Sequence, residues 1–175
     1  PSGDLLLVND HGNIIIWDVV LKKKIGQLTK CRDDQSSGGL IAFSPNGAYI
    51  ARQCKSNEII YVWDTSTSQV VNEISIDEVT NFAFSPNNDL LAIRQQDQII
   101  IWDLSTNKPN NSTLSVESDK WNYLVGFSPD GKTIAASSCN ADQPDIGCEP
   151  KILLWDVASS QLLHELTVEG RAGMI

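Results

Sequence analysis

Two short phrases alternate along this chain of 175 residues, and their regular phase constrains its fold more than any other feature. The first phrase is a Trp-Asp pair that closes an apolar run, and it occurs four times, at Trp17-Asp18, Trp63-Asp64, Trp102-Asp103 and Trp155-Asp156. The second is a turn phrase beginning Phe-Ser-Pro, which occupies 43–47, 84–88 and 127–131. Because the prolines of the turn phrase lie 41 and 43 residues apart, one supersecondary unit is repeated along the chain.

The residues of each unit predict short antiparallel strands and no helix. Ser44-Pro45-Asn46-Gly47 suits a type I turn, because proline presets φ at the second position and glycine fits the fourth. β-branched and aromatic residues crowd the flanking runs, as half-buried strands require. A repeat of about 40 residues with four strands is typical of a β-propeller blade. We therefore expect an all-β propeller of four-stranded antiparallel blades.

The repeat divides the chain, a single propeller region over 1–175, into four blades. The blades are expected at about 1–28, 40–74, 79–116 and 123–167, and 171–175 at the start of a next blade or in a closing strand. Three strands are predicted in the first blade, at 4–8, 13–18 and 24–28. The other blades are predicted to have four strands each: 40–44, 49–53, 59–64 and 70–74; 79–85, 90–94, 98–103 and 112–116; and 123–128, 133–137, 151–156 and 161–167.

The four Trp-Asp pairs, phased against three Phe-Ser-Pro turns, resemble the WD-repeat (tryptophan–aspartate repeat) β-propeller family over nearly the whole chain. The resemblance implies blades arranged around a channel and a role as a platform for other proteins. Family members usually have about seven or eight blades, so about four repeats imply part of a larger ring. A four-unit protein and a dimer that completes a ring are the alternatives. The family's Gly-His dipeptide is absent, so its Asp–His–Ser–Trp network is not expected.

The Trp-Asp pairs themselves are expected to serve the fold. A large ring near the end of the third strand of a blade can fill the space between neighbouring blades. Replacement of such a buried ring by alanine typically costs about 3–5 kcal/mol. We therefore class the residues of all four pairs as structural rather than functional.

Composition narrows the class of partner. The net charge is −9 and no basic stripe occurs, so neither nucleic acid nor an anionic membrane surface is an expected partner. No apolar stretch approaches the roughly 20 residues of a membrane span, and no signal peptide is visible. We expect a cytoplasmic protein that binds other proteins.

The cysteines suggest neither a metal site nor a cofactor. Cys31, Cys54, Cys139 and Cys148 show no Cys-x-x-Cys spacing, and the chain has only two histidines. We expect free thiols, as in cytoplasmic proteins. The alternative is a Cys139–Cys148 bridge in an exported protein, in which Asn111 would be a glycosylation site.

Several common catalytic motifs are absent from the sequence. The chain contains no Gly-x-Ser-x-Gly, no phosphate-binding glycine-rich loop and no His-Glu-x-x-His. We therefore predict a non-catalytic interaction scaffold, the repeat region of a larger signalling or regulatory protein, with possible contacts to missing blades or to an effector domain. The alternative is a propeller enzyme, or a secreted propeller, with a ligand site at the central channel.

Loop lengths point to one face as the partner-binding face. The spacing from the Phe of the turn phrase to the next Trp is 20, 18 and 28 residues, and the extra length falls at 138–150. Repeat proteins tend to vary the loops with which they bind. The predicted loops of this face carry more acidic than basic residues, so a basic protein segment is the expected partner. The candidate partner-binding residues are Trp121, Lys120, Arg52, Arg94 and Asp97.

Overall fold

The computed structural model of the chain describes residues 3–10, 13–31, 39–116, 125–140 and 149–167. These ranges form β-strands and turns, and the strands pair into four antiparallel sheets, one of three strands and three of four. No helix long and apolar enough for a membrane span occurs within them. The predicted all-β architecture of antiparallel blades is thereby confirmed, and the described residues of the first repeat form three strands.

Strands that follow one another in the sequence lie side by side in every sheet. The first sheet consists of β1 (Leu5–Asp10), β2 (Asn13–Asp18) and β3 (Lys23–Leu28). The second consists of β4 (Ile41–Phe43), β5 (Tyr49–Cys54), β6 (Ile59–Asp64) and β7 (Val70–Ser75). The third consists of β8 (Val79–Phe84), β9 (Leu90–Gln95), β10 (Gln98–Asp103) and β11 (Lys108–Ser115), and the fourth of β12 (Val125–Phe127), β13 (Thr133–Asn140), β14 (Glu149–Asp156) and β15 (Leu162–Thr167).

The strand bounds differ from the predicted ones mainly in two places. β11 begins at Lys108 rather than at 112, and it includes Pro109 opposite Trp102. An edge strand tolerates proline there because one side of the strand needs no ladder partner. β13 and β14 pair as far as Asn140 and Glu149, so both ends of the predicted loop 138–150 are ladder. Polar side chains do not prevent this, since the ladder is formed by main-chain groups.

All four sheets share an irregularity at the Trp of the Trp-Asp pair. The register between the third strand of the repeat and the outermost strand shifts just before Trp17, Trp63 and Trp155, and between Ile100 and Trp102. A bulge of this kind bends the strand and increases its twist. The register shift is therefore a common structural feature of all four repeats.

The chain divides into two compact units, Pro1–Glu78 and Val79–Ile175, and each contains two sheets. In the first unit, Ile14, Ile16 and Leu28 of the first sheet pack with Tyr61 and Trp63 of the second. The second unit repeats this arrangement: its core includes Ile99, Ile101 and Leu114 of the third sheet, Val116 directly after that sheet, and Leu153 and Trp155 of the fourth. The Trp-bearing face of one sheet thus packs on the opposite face of the sheet before it in that unit.

The four repeat tryptophans are buried to different extents. Trp63 and Trp155 are only 1% and 3% exposed, as a space-filling role requires. Trp17 is 38% exposed. Trp102 is half-buried, and its indole Nε1 donates a hydrogen bond of 3.2 Å to Asn107 Oδ1. The two buried rings are therefore the ones whose removal should create the largest cavities.

Candidate functional site

The aspartates of the Trp-Asp pairs fasten the turns that follow them. Asp103 Oδ1 accepts hydrogen bonds from the main-chain N–H groups of Ser105 (2.8 Å) and Thr106 (3.0 Å), and from the Ser105 hydroxyl (2.6 Å). Asp64 and Asp156 accept equivalent bonds from serine hydroxyl and main-chain groups. The serine hydroxyl is the largest of the interactions that lower the pKa of each of these three aspartates. The fourth, Asp18, accepts a bond of 2.7 Å from the main-chain N–H of Leu21.

The Phe-Ser-Pro turns are likewise closed by their own hydrogen bonds. Ser128 Oγ donates to Asp130 Oδ1 (2.6 Å) and accepts from the main-chain N–H of Thr133 (3.0 Å). The same bonds occur in the turns that begin at Ser44 and Ser85. The near-constant sequence of these turns is thus explained by local structure.

Arg52 and Arg94 lie inside the protein rather than at exposed strand ends. Their exposures are only 5% and 1%, so neither side chain is freely accessible in this structure. Arg52 pairs with Tyr61 and Arg94 with Ile99, so the two arginines occupy successive positions of the repeat. Successive positions on a strand point to opposite faces of the sheet, so the two side chains leave opposite faces of their own sheets. Their role in partner binding stays a prediction.

Two further candidates lie outside the described residues. These are Lys120 and Trp121, and the connection 141–148 between β13 and β14 is outside them as well. Their role in binding also stays a prediction.

Cys31 and Cys54 form a disulfide, with their Cα atoms 5.7 Å apart. The expectation of free thiols is therefore wrong for this pair. The two residues are 23 positions apart, and packing of the first sheet on the second brings them together. The alternative Cys139–Cys148 pairing falls on side chains outside the described part of the chain.

An open cleft lies between the third and fourth sheets, within the unit Val79–Ile175. Its volume is about 420 Å³. Val116, Leu153 and Leu162 supply an apolar lining, whereas Asp97 and Glu165 place carboxylates at the cleft. Gln98 and Ser115 complete the lining. The cleft thus combines apolar surface with acidic groups, and it is the candidate functional site.

Local structure explains how the acidic groups reach the cleft. Asp97 is in the two-residue turn between β9 and β10, and its main-chain oxygen accepts a bond of 2.7 Å from the N–H of Val116. Glu165 is on the edge strand β15, where Lys151 Nζ lies 2.6 Å from its Oε1. Of the predicted partner-binding residues, Asp97 lines this cleft. Glu165 and Leu162 were missed because they belong to a different repeat.

The described ranges contain no group of three or more His, Cys, Asp and Glu side chains that could hold a metal ion. The cleft has carboxylates on two different sheets, and one of them contacts an ammonium group. Such an arrangement can bind a cationic or hydrogen-bond-donating group next to apolar surface.

The sheets are antiparallel, and a Trp-Asp pair ends one inner strand of each, as the resemblance to WD-repeat β-propellers implies. The relatives and the solved structure described next agree with this resemblance, which is thereby confirmed. No protein-family profile matches the chain.

Three curated relatives are similar to this chain. Periodic tryptophan protein 2 of Arabidopsis thaliana is 27% identical over 170 residues, which cover 95% of this chain and 17% of that protein. Its homolog in Neurospora crassa is 26% identical over 141 residues, covering 79% and 14%. U3 small nucleolar RNA-associated protein 21 of Saccharomyces cerevisiae is 33% identical over 118 residues, covering 65% and 12%. The chain spans less than a fifth of the length of each.

A solved structure shows the same fold. Hydrazine synthase of Kuenenia stuttgartiensis aligns with a TM-score of 0.72 over 95% of this chain and 46% of that one. The sequence identity is 17%, so the likeness concerns the fold alone.

Proposed function

We propose that this chain is a non-catalytic protein–protein interaction scaffold, the repeat region of a larger signalling or regulatory protein. One observation carries the proposal. The constant turns are occupied by their own hydrogen bonds, whereas the cleft between the third and fourth sheets holds carboxylates beside apolar surface and is open. A groove of this composition suits a segment of another protein.

The relatives support a scaffold and suggest a setting. One of them is, by its name, associated with the U3 small nucleolar RNA. With a net charge of −9, this chain is better suited to contact the proteins of such an assembly than its RNA. Protein partners, rather than nucleic acid or membrane, are therefore proposed here.

From the composition of the chain we propose a cytoplasmic location. The Cys31–Cys54 disulfide favours the alternative, a secreted protein. Structural disulfides persist mainly in oxidising compartments. The fraction of Cys31 and Cys54 that is oxidised in cells, measured by thiol trapping before lysis, decides between the two locations. Full oxidation would overturn the cytoplasmic proposal.

The scaffold proposal is tested by affinity purification of the full chain from cells after chemical crosslinking. A captured protein is then mapped by hydrogen exchange on the complex. Protection at 97–98, 115–116 and 162–165 is expected. Protection confined to the constant turns 45–47 and 86–88 would place binding elsewhere and contradict the proposed surface.

The loop candidates are tested in the same complex. Trp121→Ala, or a shortened connection within 141–148, should weaken capture and leave the melting temperature nearly unchanged. Trp63→Ala is the contrasting control. Removal of that buried ring should lower the melting temperature, whereas the loop variants should not. Unchanged capture by both loop variants would remove this loop face from the binding surface.

A further inference from the structure

The space between the first and second sheets, here called the first gap, is equivalent to the second gap, the cleft between the third and fourth sheets. The first gap contains side chains that the second gap lacks. Leu28 pairs with Ile14 in the first sheet, and Leu114 pairs with Ile99 in the third. Lys30 and Val116 each lie two residues beyond these leucines. They therefore occupy the same position of the repeat, just past the last strand of the sheet that precedes each gap.

The sheets on the other side of the two gaps are also equivalent at this place. Tyr61 pairs with Glu73 in the second sheet, and Leu153 pairs with Glu165 in the fourth. Both tyrosine and leucine lie two residues before the Trp of their repeats. Each gap therefore has a glutamate on its far side.

In the first gap, a lysine of the chain itself meets this glutamate. Lys30 Nζ lies 2.5 Å from Glu73 Oε1 and 5.3 Å from the centroid of the Tyr61 ring. The ammonium thus makes a charge-assisted hydrogen bond and a cation–π contact at once. The hydrogen bond to Glu73 raises the pKa of Lys30, so its charge is retained.

In the second gap the glutamate is retained, but the lysine and the aromatic ring are not. Val116 stands in place of Lys30, and Leu153 in place of Tyr61. Both side chains are shorter, and Val116 is only 2% exposed beneath the cleft. The cleft of about 420 Å³ lies where these larger groups are absent, and Asp97 adds a second carboxylate.

The charges at this cleft favour a cation. Asp97 and Glu165 are negative, and the ammonium of Lys151 contacts Glu165 from the same sheet. One negative charge therefore remains at the cleft without a matching cation among these three groups. Apolar side chains at Val116, Leu153 and Leu162 can cover the methylene groups of a long basic side chain.

We infer that the cleft binds a lysine or arginine side chain from a basic segment of a partner protein, in the position that Lys30 occupies in the first gap. The cationic head lies between Asp97 and Glu165, and its methylenes pack on Val116, Leu153 and Leu162. This inference rests on the proposed function as an interaction scaffold and names the chemistry of the partner.

The cleft is tested by nuclear magnetic resonance titration of the full chain with capped tripeptides. The probes are Ala-Lys-Ala and Ala-Arg-Ala, and the matched controls are Ala-norleucine-Ala and Ala-Glu-Ala. The cationic probes should shift the amide signals of 97–98, 115–116 and 165. Added salt should lower the affinity of these probes, because it screens the charges. Equal shifts from the norleucine probe would show that charge is irrelevant and would overturn the inference.

Variants of the two carboxylates locate the cation. Asp97→Asn should weaken binding of Ala-Lys-Ala about five-fold, as expected for loss of one exposed ion pair. The double change Asp97→Asn and Glu165→Gln should remove the specific shifts while the melting temperature stays nearly constant, because both residues are exposed. Unaltered affinity in the double variant would contradict the inference.

The side chains that distinguish the two gaps can also be exchanged by substitution. Val116→Lys should supply the cation internally and block the probe, whereas Lys30→Val with Tyr61→Leu should create a new probe site at Glu73. The second design keeps the test decisive if the first variant does not fold. A double variant that stays folded and gains no probe binding at Glu73 would contradict the equivalence of the two gaps.

Failure of this inference can be told apart from failure of the proposed function. If a captured partner binds Asp97→Asn as tightly as the wild type, the scaffold function stands and the cation site is refuted. If the cationic probe binds at the cleft but crosslinking captures no protein, the site stands and the scaffold function is refuted.

Discussion

Arg94 donates a hydrogen bond of 2.5 Å from Nη1 to the main-chain oxygen of Ser137, the residue that takes the place of Arg94 in the next repeat. Each of the two pairs with the isoleucine three residues before its Trp. The bond therefore joins equivalent points of the third and fourth sheets. Burial lowers the pKa of Arg94, and its Nε has no hydrogen-bond partner within the described ranges.

Removal of the Arg94 side chain should destabilise the unit Val79–Ile175. Arg94→Ala leaves a cavity and removes the hydrogen bond to the Ser137 main-chain oxygen, and we expect a cost of about 3 kcal/mol in the free energy of unfolding. Arg94→Met retains the volume and removes a poorly paired buried charge, so its cost should be smaller. Urea denaturation measures both. Equal losses for the two variants would show that the hydrogen bond, not packing, dominates.

Alanine substitutions of the repeat tryptophans should fall in a definite order. Trp63→Ala and Trp155→Ala should each cost about 3–5 kcal/mol, because both rings are fully buried. Trp102→Ala should cost less, since its ring is half-buried, and Trp17→Ala should be mild because that ring is 38% exposed. Denaturation midpoints of the four single variants give the order. A cost for Trp17→Ala as large as that for Trp63→Ala would contradict the burial argument.

The turn aspartates should make stability depend on pH. The pKa values of Asp64, Asp103 and Asp156 are lowered in the folded chain. Their contribution is therefore present above the usual aspartate pKa of about 4 and is lost as the pH falls through the lowered values. The triple Asp→Asn variant should have a lower melting temperature at pH 7 and a smaller further decrease towards pH 3.

Asp97→Asn is the control for this pH series, because that exposed aspartate lies outside the three turns. Its melting temperature should follow the wild type across the whole range. If the triple variant also followed the wild type at every pH, the turn hydrogen bonds would contribute nothing to stability.

Reduction of Cys31–Cys54 should lower the stability of the unit Pro1–Glu78. A link across 23 residues restricts the unfolded chain by about 3 kcal/mol in the chain-entropy view. Cys54→Ser should reproduce the effect of a reducing agent, and the reductant should then change that variant no further. Mass spectrometry of the unreduced protein after alkylation provides the check. Alkylation at both cysteines would refute the link.

Much of the fold was predictable because it is repeated in the side-chain pattern. The apolar runs before Trp63 and Trp102 gave both ends of β6 and β10 correctly. The register shifts at the tryptophans were not predictable, since they depend on main-chain pairing that no side chain marks. The polar residues at the start of β11 concealed a strand for the same reason.

The site was harder to predict than the fold. Asp97 could be singled out from a turn, but Glu165 reaches the same cleft only because the fourth sheet packs on the third. The burial of Arg94 could not be seen, because an arginine near a strand end normally reaches solvent. Cys31 and Cys54 meet through packing of two sheets and not through any spacing motif.

In the part of the chain that the structure describes, each sheet consists of strands that are consecutive in the sequence. On a translating ribosome, each sheet therefore has all of its ladder partners once its own stretch of about 40 residues has emerged. Within the described residues, pairing of these strands therefore needs only contacts between neighbouring segments, which favours fast folding. Such a chain can lengthen or shorten by whole repeats during evolution without disturbing the hydrogen bonding of the sheets already formed.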